Sequence, residues 1–465
     1  MTSAPDRRTS ALSASSPSEA SLVEALCCPR CAGRLEAARP GAGADAYRCP
    51  ACGRLFPLVG TIPCLVDDPD LWRTVWQRQL RTYAHAIELR VARIHEEAES
   101  AGLIPRTRQR LHRIAAAFAE QRRTILSLGQ AFGGESDALL AAAIPDPPED
   151  PGEAAILRCY DNIFRDWAWG QRECDLIMSL VAPLVPRGLD RVAFLGAGSG
   201  RLAADVHQDR APGRTLALDV NPLPMLVAAR LLARDTMTLP EFPSDPISDD
   251  DVVLPRTLAC PFSVREGFSL LIADGLRPPV PAGSVDAVVT SWFIDVARAD
   301  LRHTAAAINR MLRPGGLWVN LGPLRFQSVL SRAYTSEEVL EIVAGSGFDL
   351  ATRSREHVPY VDSPASGVRR IDTVLRFSAR KTDETRPFEI PEAVAPWIAN
   401  PLAPIPITPE LVAVGRRAMS VTGVLAMIDG TRSIVDIARE LGQAWGVDPA
   451  QVQRQLRGFL ASLPG

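Results

Sequence analysis

The 465-residue sequence predicts an α/β protein of several domains, the largest of which is a Rossmann-like, doubly wound parallel sheet. The first observation is a glycine-rich turn, Gly196, Gly198 and Gly200, that stands between an apolar run and a helical pattern. The second is the alternation of apolar strands with helical patterns that continues from this turn to about residue 380. The third is a pair of Cys-x-x-Cys motifs near the N-terminus, which marks a separate small module.

The chain is longer than one ordinary hydrophobic core accommodates, so we expect several domains. Their boundaries follow shifts in composition and stretches rich in proline and acidic residues. The expected segments are a disordered N-terminus at 1–22, a cysteine-rich ribbon at 23–68, a helical domain at 69–145, the α/β domain at 154–382 and a small helical, winged-helix-like domain at 390–465.

The composition favours a soluble globular protein, with 46% hydrophobic and 23% charged residues. The net charge of −3 gives no reason to expect nucleic acid as a partner. No apolar run approaches the length of a membrane span, and the N-terminus lacks the apolar core of a signal peptide. Nine cysteines, an odd number, argue against a secreted disulfide framework. We therefore expect a cytoplasmic protein with no membrane partner.

The N-terminal ribbon is predicted from the spacing of four cysteines, which are Cys28, Cys31, Cys49 and Cys52. Two Cys-x-x-Cys pairs supply the four thiolates of a closed tetrahedral zinc site, and such sites are usually structural. Cys27 is an alternative to Cys28, but only Cys28 keeps the two-residue spacing to the next cysteine. Cys64 lies outside the pattern, and we expect it to be packed in the interior.

The ribbon and the apolar residues that follow it resemble the small zinc-ribbon protein that partners several methyltransferases. The resemblance covers about forty residues and implies a docking or scaffolding role. Beyond it, apolar residues at three- and four-residue spacing predict helices from about residue 71 to 140.

The glycine-rich turn predicts a nucleoside-binding site. Asp219 ends the next apolar run and lies 219 − 198 = 21 residues beyond Gly198, where an acid can hold both ribose hydroxyls. The Gly-x-Gly-x-Gly pattern has no following Lys-Ser/Thr, which argues against a P-loop. The pattern favours S-adenosylmethionine (SAM) over a dinucleotide, because SAM has no phosphate to place at the helix N-terminus.

Further apolar runs at 268–274, 284–295 and 314–322 continue the predicted sheet. Two late runs, near 348–358 and 370–380, are expected to close it as an antiparallel hairpin.

One block of sequence is specific enough to indicate a family. Residues 290–324, TSWFIDVARADLRHTAAAINRMLRPGGLWVNLGPL, closely resemble the carnosine N-methyltransferase family, as do FRDWAWGQRE (164–173) and LGAGSGRLA (195–203). The resemblance covers about residues 155–380. It implies a class I methyltransferase domain that uses SAM to methylate an imidazole nitrogen.

The resemblance also implies contacts with SAM, which carry over where the residues match. They are Asn162 and Arg165 at the methionine end, Gly196, Gly198 and Gly200 as the floor, Asp219 on the ribose, Asp274 on the adenine amino group and Ser291 beside the sulfonium. The family has Gln in place of Asn162 and Glu in place of Asp219.

Asp295 is the catalytic candidate, because the matching acid of the family holds the substrate imidazole. Attack on the sulfonium methyl group needs a neutral imidazole whose lone pair points at carbon. A carboxylate that accepts the other ring N–H fixes the tautomer and stabilises the imidazolium that develops. The alternative is that Asp295 caps the helix that follows it.

Two departures from the family pattern concern the rest of the substrate. Gln327 stands where the family has a histidine, and the tyrosine expected before the final strand is absent, with Arg370 and Ile371 nearby. Tyr360 is a candidate to replace that tyrosine. The departures suggest that the imidazole acceptor is kept while the remainder of the substrate differs.

The C-terminal domain partly resembles the helical half of domains that bind leader peptides in ribosomally made natural products. This favours methylation of a histidine within a peptide. The alternatives are free histidine or a dipeptide such as carnosine and, in another class, a DNA-binding regulator that uses the ribbon and a winged helix. The net negative charge and the SAM pocket weigh against the regulator. The sequence leaves the oligomeric state open.

Overall fold

The computed structural model describes residues 22–38, 46–133, 160–297, 299–326, 330–383, 427, 432–446, 448–453 and 456. Of residues 1–22, which were predicted to be disordered, residues 1–21 lie outside the described residues and Leu22 is helical. The chain divides into two compact units, Met1–Phe388 and Glu389–Gly465, which are described separately.

The first unit contains thirteen strands and seven regular helices among its described residues. The strands are β1 (Glu36–Ala38), β2 (Ala46–Arg48), β3 (Leu55–Val59), β4 (Ile62–Leu65), β5 (Arg191–Leu195), β6 (Arg214–Asp219), β7 (Met237–Glu241), β8 (Leu254–Leu258), β9 (Phe268–Ala273), β10 (Val285–Ser291), β11 (Leu312–Gly322), β12 (Phe348–Pro359) and β13 (Ile371–Lys381). The helices are α1 (Pro69–Ala98), α2 (Pro105–Gly129), α3 (Gln171–Val181), α4 (Arg201–Arg210), α5 (Pro222–Leu232), α6 (Leu301–Met311) and α7 (Ser336–Gly345).

Eleven strands form one sheet, in the order β1-β2-β3-β4-β9-β6-β5-β10-β11-β13-β12. Strands β9, β6, β5, β10 and β11 are parallel, and β13 runs antiparallel between β11 and β12. The last seven strands of this order can be renumbered 1 to 7 along the chain from β5, leaving out β7 and β8, which form a separate two-stranded sheet. Their order across the sheet is then 3-2-1-4-5-7-6. This is the topology of a Rossmann-like class I methyltransferase domain, so the predicted fold class and the late antiparallel hairpin are confirmed.

The central strands are apolar on both faces because helices cover both sides of the sheet. In β5, every residue after Arg191 is buried. Trp318 in β11 is fully buried and lies edge-on against Phe348 and Phe377, which fixes the antiparallel hairpin to the parallel part.

The ribbon is part of the same sheet. Its last strand, β4, lies parallel to β9, with Cys64 opposite Ile272 and Leu65 opposite Ala273. Buried side chains of the ribbon, including Phe56, belong to the same hydrophobic cluster as the central strands. The ribbon therefore covers the edge of β9 that would otherwise expose unpaired backbone groups.

Helices α1 and α2 form a hairpin that packs beside the ribbon. Asp68 caps α1 by accepting the N–H of Leu71 at 3.1 Å. Leu80, Tyr83 and Ile87 of α1 are buried in a cluster with residues of α2, β3 and β4. No helix among the described residues has the length and apolar character needed to cross a membrane.

The second unit is described in part. Helix α8 (Ile434–Trp445) begins with a capping box in which Ser433 and Asp436 each accept the other's backbone N–H. Its buried residues Ile437 and Leu441 form a small core with Val452 and Leu456. The proline-rich start of the predicted C-terminal domain lies outside the described residues.

Candidate cofactor and acceptor site

The residues predicted to bind the cofactor meet at the carboxyl edge of the central strands. Asp219 ends β6, and the adjacent strands β5 and β9 lead directly into Gly196 and Asp274. Ser291 ends β10, on the other side of β5. Parallel sheets bind ligands at this edge, where the strand order reverses. The structure brings these four residues together, and their contacts with SAM remain predictions.

The glycine loop and Asp219 are fixed to each other by hydrogen bonds. Gly196 and Gly198 have φ angles of +69° and +55°, which favour glycine. Gly198 donates its N–H to Oδ2 of Asp219 at 2.7 Å, and Asn221 donates its N–H to Oδ1 at 2.8 Å. Burial raises the pKa of Asp219. Each carboxylate oxygen keeps a further lone pair that can accept a hydroxyl group.

Phe293 forms an apolar wall at this edge that sequence reasoning missed. A Cβ atom on Gly196 would lie 2.6 Å from the Phe293 ring, and one on Gly275 would lie 2.7 Å from it. Both positions therefore exclude side chains, because the ring occupies that space. In the sequence, Phe293 is visible only as the second member of the aromatic pair Trp292 and Phe293 within residues 290–324.

The segment before α3 lies against the glycine loop. Residues 160–164 are helical and continue into a π-helical turn, Arg165–Trp169, a feature often found at functional sites. Trp167 donates its Nε1–H to the carbonyl of Ser199 at 3.2 Å. Asp166 accepts a hydrogen bond from the Ser199 hydroxyl. These bonds connect the start of the domain to the glycine loop.

Arg165 is held by two buried acids. Its Nε donates to Asp166 at 2.7 Å, and its Nη1 donates to Glu173 at 3.3 Å. Burial alone would lower the pKa of Arg165, but the two carboxylates more than offset it and raise the pKa. Glu173 also accepts the backbone N–H groups of Val361 and Asp362. Sequence reasoning missed Glu173, which links Arg165 to the end of β12.

Tyr360 lies at the centre of an aromatic and cationic group. Its ring stacks on Trp292 at 5.4 Å between centroids, and the guanidinium of Arg370 lies 4.3 Å from its centroid. Burial raises the pKa of Tyr360, and a hydrogen bond with the side chain of Asn162 opposes that shift. The predicted residues Asn162 and Tyr360 are therefore in contact, and Arg165 also faces the Tyr360 ring, at 5.7 Å.

Asp295 has one oxygen satisfied and one without a partner. Its Oδ2 accepts the backbone N–H of Arg325 at 2.9 Å. Its Oδ1 is buried and has no hydrogen-bond partner among the described residues. Burial is the main cause that raises the pKa of Asp295. A buried carboxylate oxygen without a donor is costly, and a donor from a bound ligand could satisfy it.

The alternative role of Asp295 as a helix cap is excluded. Helix α6 is capped by Asp300, whose side chain accepts the N–H of Arg302 at 3.0 Å. Asp300 also pairs with the Arg302 guanidinium, which contributes to a pKa well below its usual range. Asp295 therefore does not cap this helix.

Two arginines converge on one buried carboxylate beside Asp295. Asp372 has a fully buried side chain and accepts hydrogen bonds from Arg325 and, at 2.9 and 3.0 Å, from Arg370. The Trp292 indole N–H lies 3.5 Å from the same carboxylate. Sequence reasoning noted Arg370 only as a neighbour of a missing tyrosine, and it missed Arg325 and Asp372. The predicted Gln327 lies outside the described residues.

The four predicted metal ligands are brought together. The sulfur atoms of Cys28, Cys31, Cys49 and Cys52 all lie within 4.8 Å of one another. The two Cys-x-x-Cys turns have the same backbone pattern, with Ala32 donating to the Cys28 carbonyl at 2.9 Å and Gly53 donating to the Cys49 carbonyl at 2.8 Å. Both donors have positive φ. This arrangement of four thiols suits a tetrahedral metal ion.

The remaining cysteines of the ribbon lie outside the cluster. Cys27 is buried, pairs with Arg34 in a β-bridge and donates its backbone N–H to the carbonyl of Pro279 at 2.9 Å. Cys64 is buried at the junction with β9. The choice of Cys28 over Cys27 agrees with this geometry, as does the packing expected of Cys64.

Sequence comparison finds relatives for one part of the chain. Residues 249–383 match the family model described as carnosine N-methyltransferase. The chain is 32% identical over 97 residues to carnosine N-methyltransferase from Rattus norvegicus, which covers 19% of this chain and 24% of that protein. The protein of the same name from Mus musculus matches equally. The chain thus spans about a quarter of the length of these relatives.

Solved structures of low identity are also similar over about half of the chain. A SAM-dependent methyltransferase from Aquifex aeolicus is 10% identical, with 50% of this chain and 98% of that chain covered and a TM-score of 0.32. The N-methyltransferase NodS from Bradyrhizobium japonicum is 13% identical, with 46% and 97% covered and a TM-score of 0.31. The fold assignment rests on the strand order and not on these likenesses. Residues 249–383 are thus similar to the carnosine N-methyltransferase family.

Proposed function

We propose that this protein is a SAM-dependent N-methyltransferase that transfers a methyl group to an imidazole nitrogen of a histidine within a peptide. The observation that carries the proposal is the buried Oδ1 of Asp295, which has no donor among the described residues. A neutral imidazole has one N–H donor and one lone pair, so it satisfies this oxygen while its other nitrogen remains nucleophilic.

The residues at the carboxyl edge fit SAM. Asp219 offers a lone pair on each oxygen to the ribose hydroxyls, and Phe293 offers an apolar wall to the adenosine. At the other end, Arg165 would hold the carboxylate of the methionine moiety. The buried Oδ1 of Asn162 has no partner among the described residues and would accept the ammonium group. Asp274 would contact the adenine amino group, and Ser291 would lie beside the sulfonium.

The mechanism follows from what these side chains hold. When bound, SAM supplies an electrophilic methyl group on a sulfonium sulfur. Asp295 accepts the ring N–H of the substrate and thereby directs the lone pair of the other nitrogen away from itself. The Arg325 backbone N–H keeps this carboxylate in place. As the N–C bond forms, the bond between the methyl carbon and sulfur would break, so that S-adenosylhomocysteine leaves as a neutral thioether and the ring becomes positive. The negative charge of Asp295 stabilises this ring, and the N–H proton later leaves to solvent.

We also propose that the four-cysteine cluster holds a structural zinc ion. Four thiolates close the coordination shell, so no open position remains for catalysis. The pairing of β4 with β9 supports a scaffolding role for the zinc-bound ribbon, because β9 ends beside Asp274.

Product analysis tests the reaction itself. The protein should be incubated with SAM and separately with histidine, carnosine and short histidine-containing peptides. Fragmentation mass spectrometry is expected to find one added methyl group on an imidazole nitrogen, with peptides turned over most efficiently. If histidine or carnosine were turned over most efficiently, the substrate would be that small molecule and not a peptide. Methylation at sulfur, carbon or a carboxylate would contradict the proposal.

The peptide part of the proposal rests on the second unit, which partly resembles peptide-binding domains. We expect that removal of residues 390–465 raises the apparent Michaelis constant for a peptide, because part of its binding surface is lost. The kcat for a short acceptor that cannot reach this unit should change less than about twofold, since the residues around Asp295 belong to the first unit. Identical kinetics of truncated and full-length protein on long peptides would contradict peptide capture.

A further inference from the structure

Glu173 stands between the arginine expected to hold the cofactor and the loop that follows Tyr360. It lies in the first turn of α3, and its side chain is only 5% exposed. Its Oε1 accepts two donors, Nη1 of Arg165 at 3.3 Å and the backbone N–H of Val361 at 3.1 Å. One carboxylate oxygen is therefore shared between the cofactor end of the site and the loop 360–370, which joins β12 to β13.

The hydrogen bonds of this carboxylate are long. Besides the two on Oε1, the Oε2 atom of Glu173 accepts the backbone N–H of Asp362 at 3.3 Å. A hydrogen bond from a guanidinium group to a carboxylate normally measures about 2.7–2.9 Å. Arg165 reaches such a distance with Asp166, at 2.7 Å. The Oε1 of Glu173 thus lies between two donors and holds neither tightly, so a ligand that engages Arg165 would leave this oxygen to Val361.

Val361 needs such a partner because its backbone is strained. Its φ angle is +53°, in the left-handed region that a β-branched residue seldom occupies. Strained residues of this kind persist only where surrounding contacts fix them, and they cluster at ligand sites. The residue before it is Tyr360, whose ring stacks on Trp292. A change of φ at Val361 would redirect the chain on either side of it, so this angle affects where the Tyr360 ring stands.

The next part of the loop is fixed by a second buried acid, Glu241, whose side chain is 4% exposed. Its Oε1 accepts the hydroxyl of Ser363 at 2.8 Å and the indole N–H of Trp169 at 3.1 Å. Among the described residues, Glu241 makes no hydrogen bond with Arg165. Ser363 is therefore anchored independently of the arginine, whereas the two residues before it depend on Glu173.

We propose that Glu173 is a positioning residue that couples occupancy of the cofactor site to the loop after Tyr360, an inference that rests on the function proposed above. When Arg165 binds the methionine carboxylate, its guanidinium gives up Oε1, and Glu173 then binds the Val361 N–H alone. The strained backbone is held more firmly, and with it the Tyr360 ring beside the acceptor. The cofactor therefore strengthens acceptor binding, and by thermodynamic linkage the acceptor strengthens cofactor binding by the same factor.

Hydrogen exchange tests the coupling without turnover. The amides of Val361 and Asp362 are the reporters, because they donate to Glu173. In the native protein, saturation with S-adenosylhomocysteine is expected to slow their exchange about tenfold, within the range of about 5- to 150-fold typical of coupled sites. In E173Q, which keeps the shape of the side chain but not its charge, the slowing should be less than about twofold. Equal slowing in E173Q, or none in the native protein, would overturn the proposal.

Two further variants separate coupling from a merely structural role. E241Q is the matched control, because Glu241 binds the same loop through Ser363 but does not bind Arg165. It should speed up exchange by similar factors with and without S-adenosylhomocysteine, so the tenfold slowing is kept. Loss of the slowing in E241Q would contradict a specific role of Glu173.

V361G tests the strain and leaves both buried acids intact. Glycine adopts a positive φ at little cost, so the loop no longer depends on the cofactor to hold this conformation. S-adenosylhomocysteine should then slow exchange by less than about threefold. Undiminished slowing in V361G would show that the backbone strain plays no part in the coupling.

Calorimetric titration extends the test to the acceptor and separates the coupling from the proposed reaction. The native protein should bind a histidine-containing peptide about tenfold more tightly when S-adenosylhomocysteine is bound, and E173Q less than about twofold more tightly. A role of Glu173 in folding alone would weaken both measurements equally and leave their ratio unchanged. Slowed exchange without methylation of an imidazole would support the coupling and refute the reaction alone. Methylation without any effect of S-adenosylhomocysteine on the loop would refute the coupling alone.

Discussion

Replacement of Asp295 by Asn is expected to lower kcat by about 10²- to 10⁴-fold, the range typical of a lost positioned proton acceptor. Since the Arg325 N–H requires an acceptor, the amide oxygen of Asn would occupy the place of Oδ2. The amide nitrogen would then stand at the place of Oδ1 and point its N–H groups toward the substrate. The imidazole would turn its lone pair to that donor and its N–H to the cofactor, which is the unreactive tautomer.

The measurement is single-turnover methyl transfer to a histidine peptide, together with the dissociation constant of S-adenosylhomocysteine. The latter should change by less than a few-fold, because Asp295 makes no contact with the glycine loop among the contacts described. D235N is the matched control, because Asp235 is 48% exposed, pairs with Arg230 and lies outside the acceptor site. Unchanged turnover in D295N would contradict the role of Asp295.

The features predicted correctly from the sequence depend on short spacings. The alternation of apolar runs with helical patterns is sufficient for the α/β fold, and the glycines reach Asp219 within one βαβ unit. The two Cys-x-x-Cys turns each bring their cysteines together locally. Such patterns are visible because the chain itself holds the residues close.

The features that were missed depend on contacts between distant parts of the chain. Glu173 binds the backbone of Val361, which lies 188 residues further along. Asp372 gathers Arg325 from a loop that precedes it by 47 residues, and no local pattern marks either partner. The unpaired oxygen of Asp295 is likewise a property of its packed surroundings. The resemblance to the family indicated Asp295 as a candidate, but it did not indicate the charged residues around it.

The pairing of strands from different predicted segments could not be predicted from the sequence either. The apolar run 62–65 was assigned to the ribbon, and its pairing with β9 requires a strand more than two hundred residues away. What the sequence presents as a small separate module is therefore a part of the eleven-stranded sheet. This difference determines what loss of the metal should do.

Substitution of both Cys49 and Cys52 by Ser is expected to remove about one zinc ion per chain and to lower the melting temperature by at least about 5–10 °C. Structural zinc contributes on the order of 10 kcal/mol to the fold around it, and only part of this loss reaches the rest of the unit. Since β4 covers β9 and β9 leads to Asp274, the variant should also bind S-adenosylhomocysteine more weakly.

The measurements are metal content by elemental mass spectrometry, thermal unfolding and calorimetric titration of S-adenosylhomocysteine. C27A is the matched control, because Cys27 is buried in the same ribbon but lies outside the cluster of four sulfur atoms. It should keep its zinc and its cofactor affinity, although it removes a buried thiol. A native protein that is free of metal and as stable as the zinc-loaded form would contradict the proposal that the ribbon holds a structural zinc ion. A zinc-free variant with unchanged cofactor affinity would instead show that zinc stabilises the ribbon alone. The end of β9 would then hold Asp274 in place without help from β4.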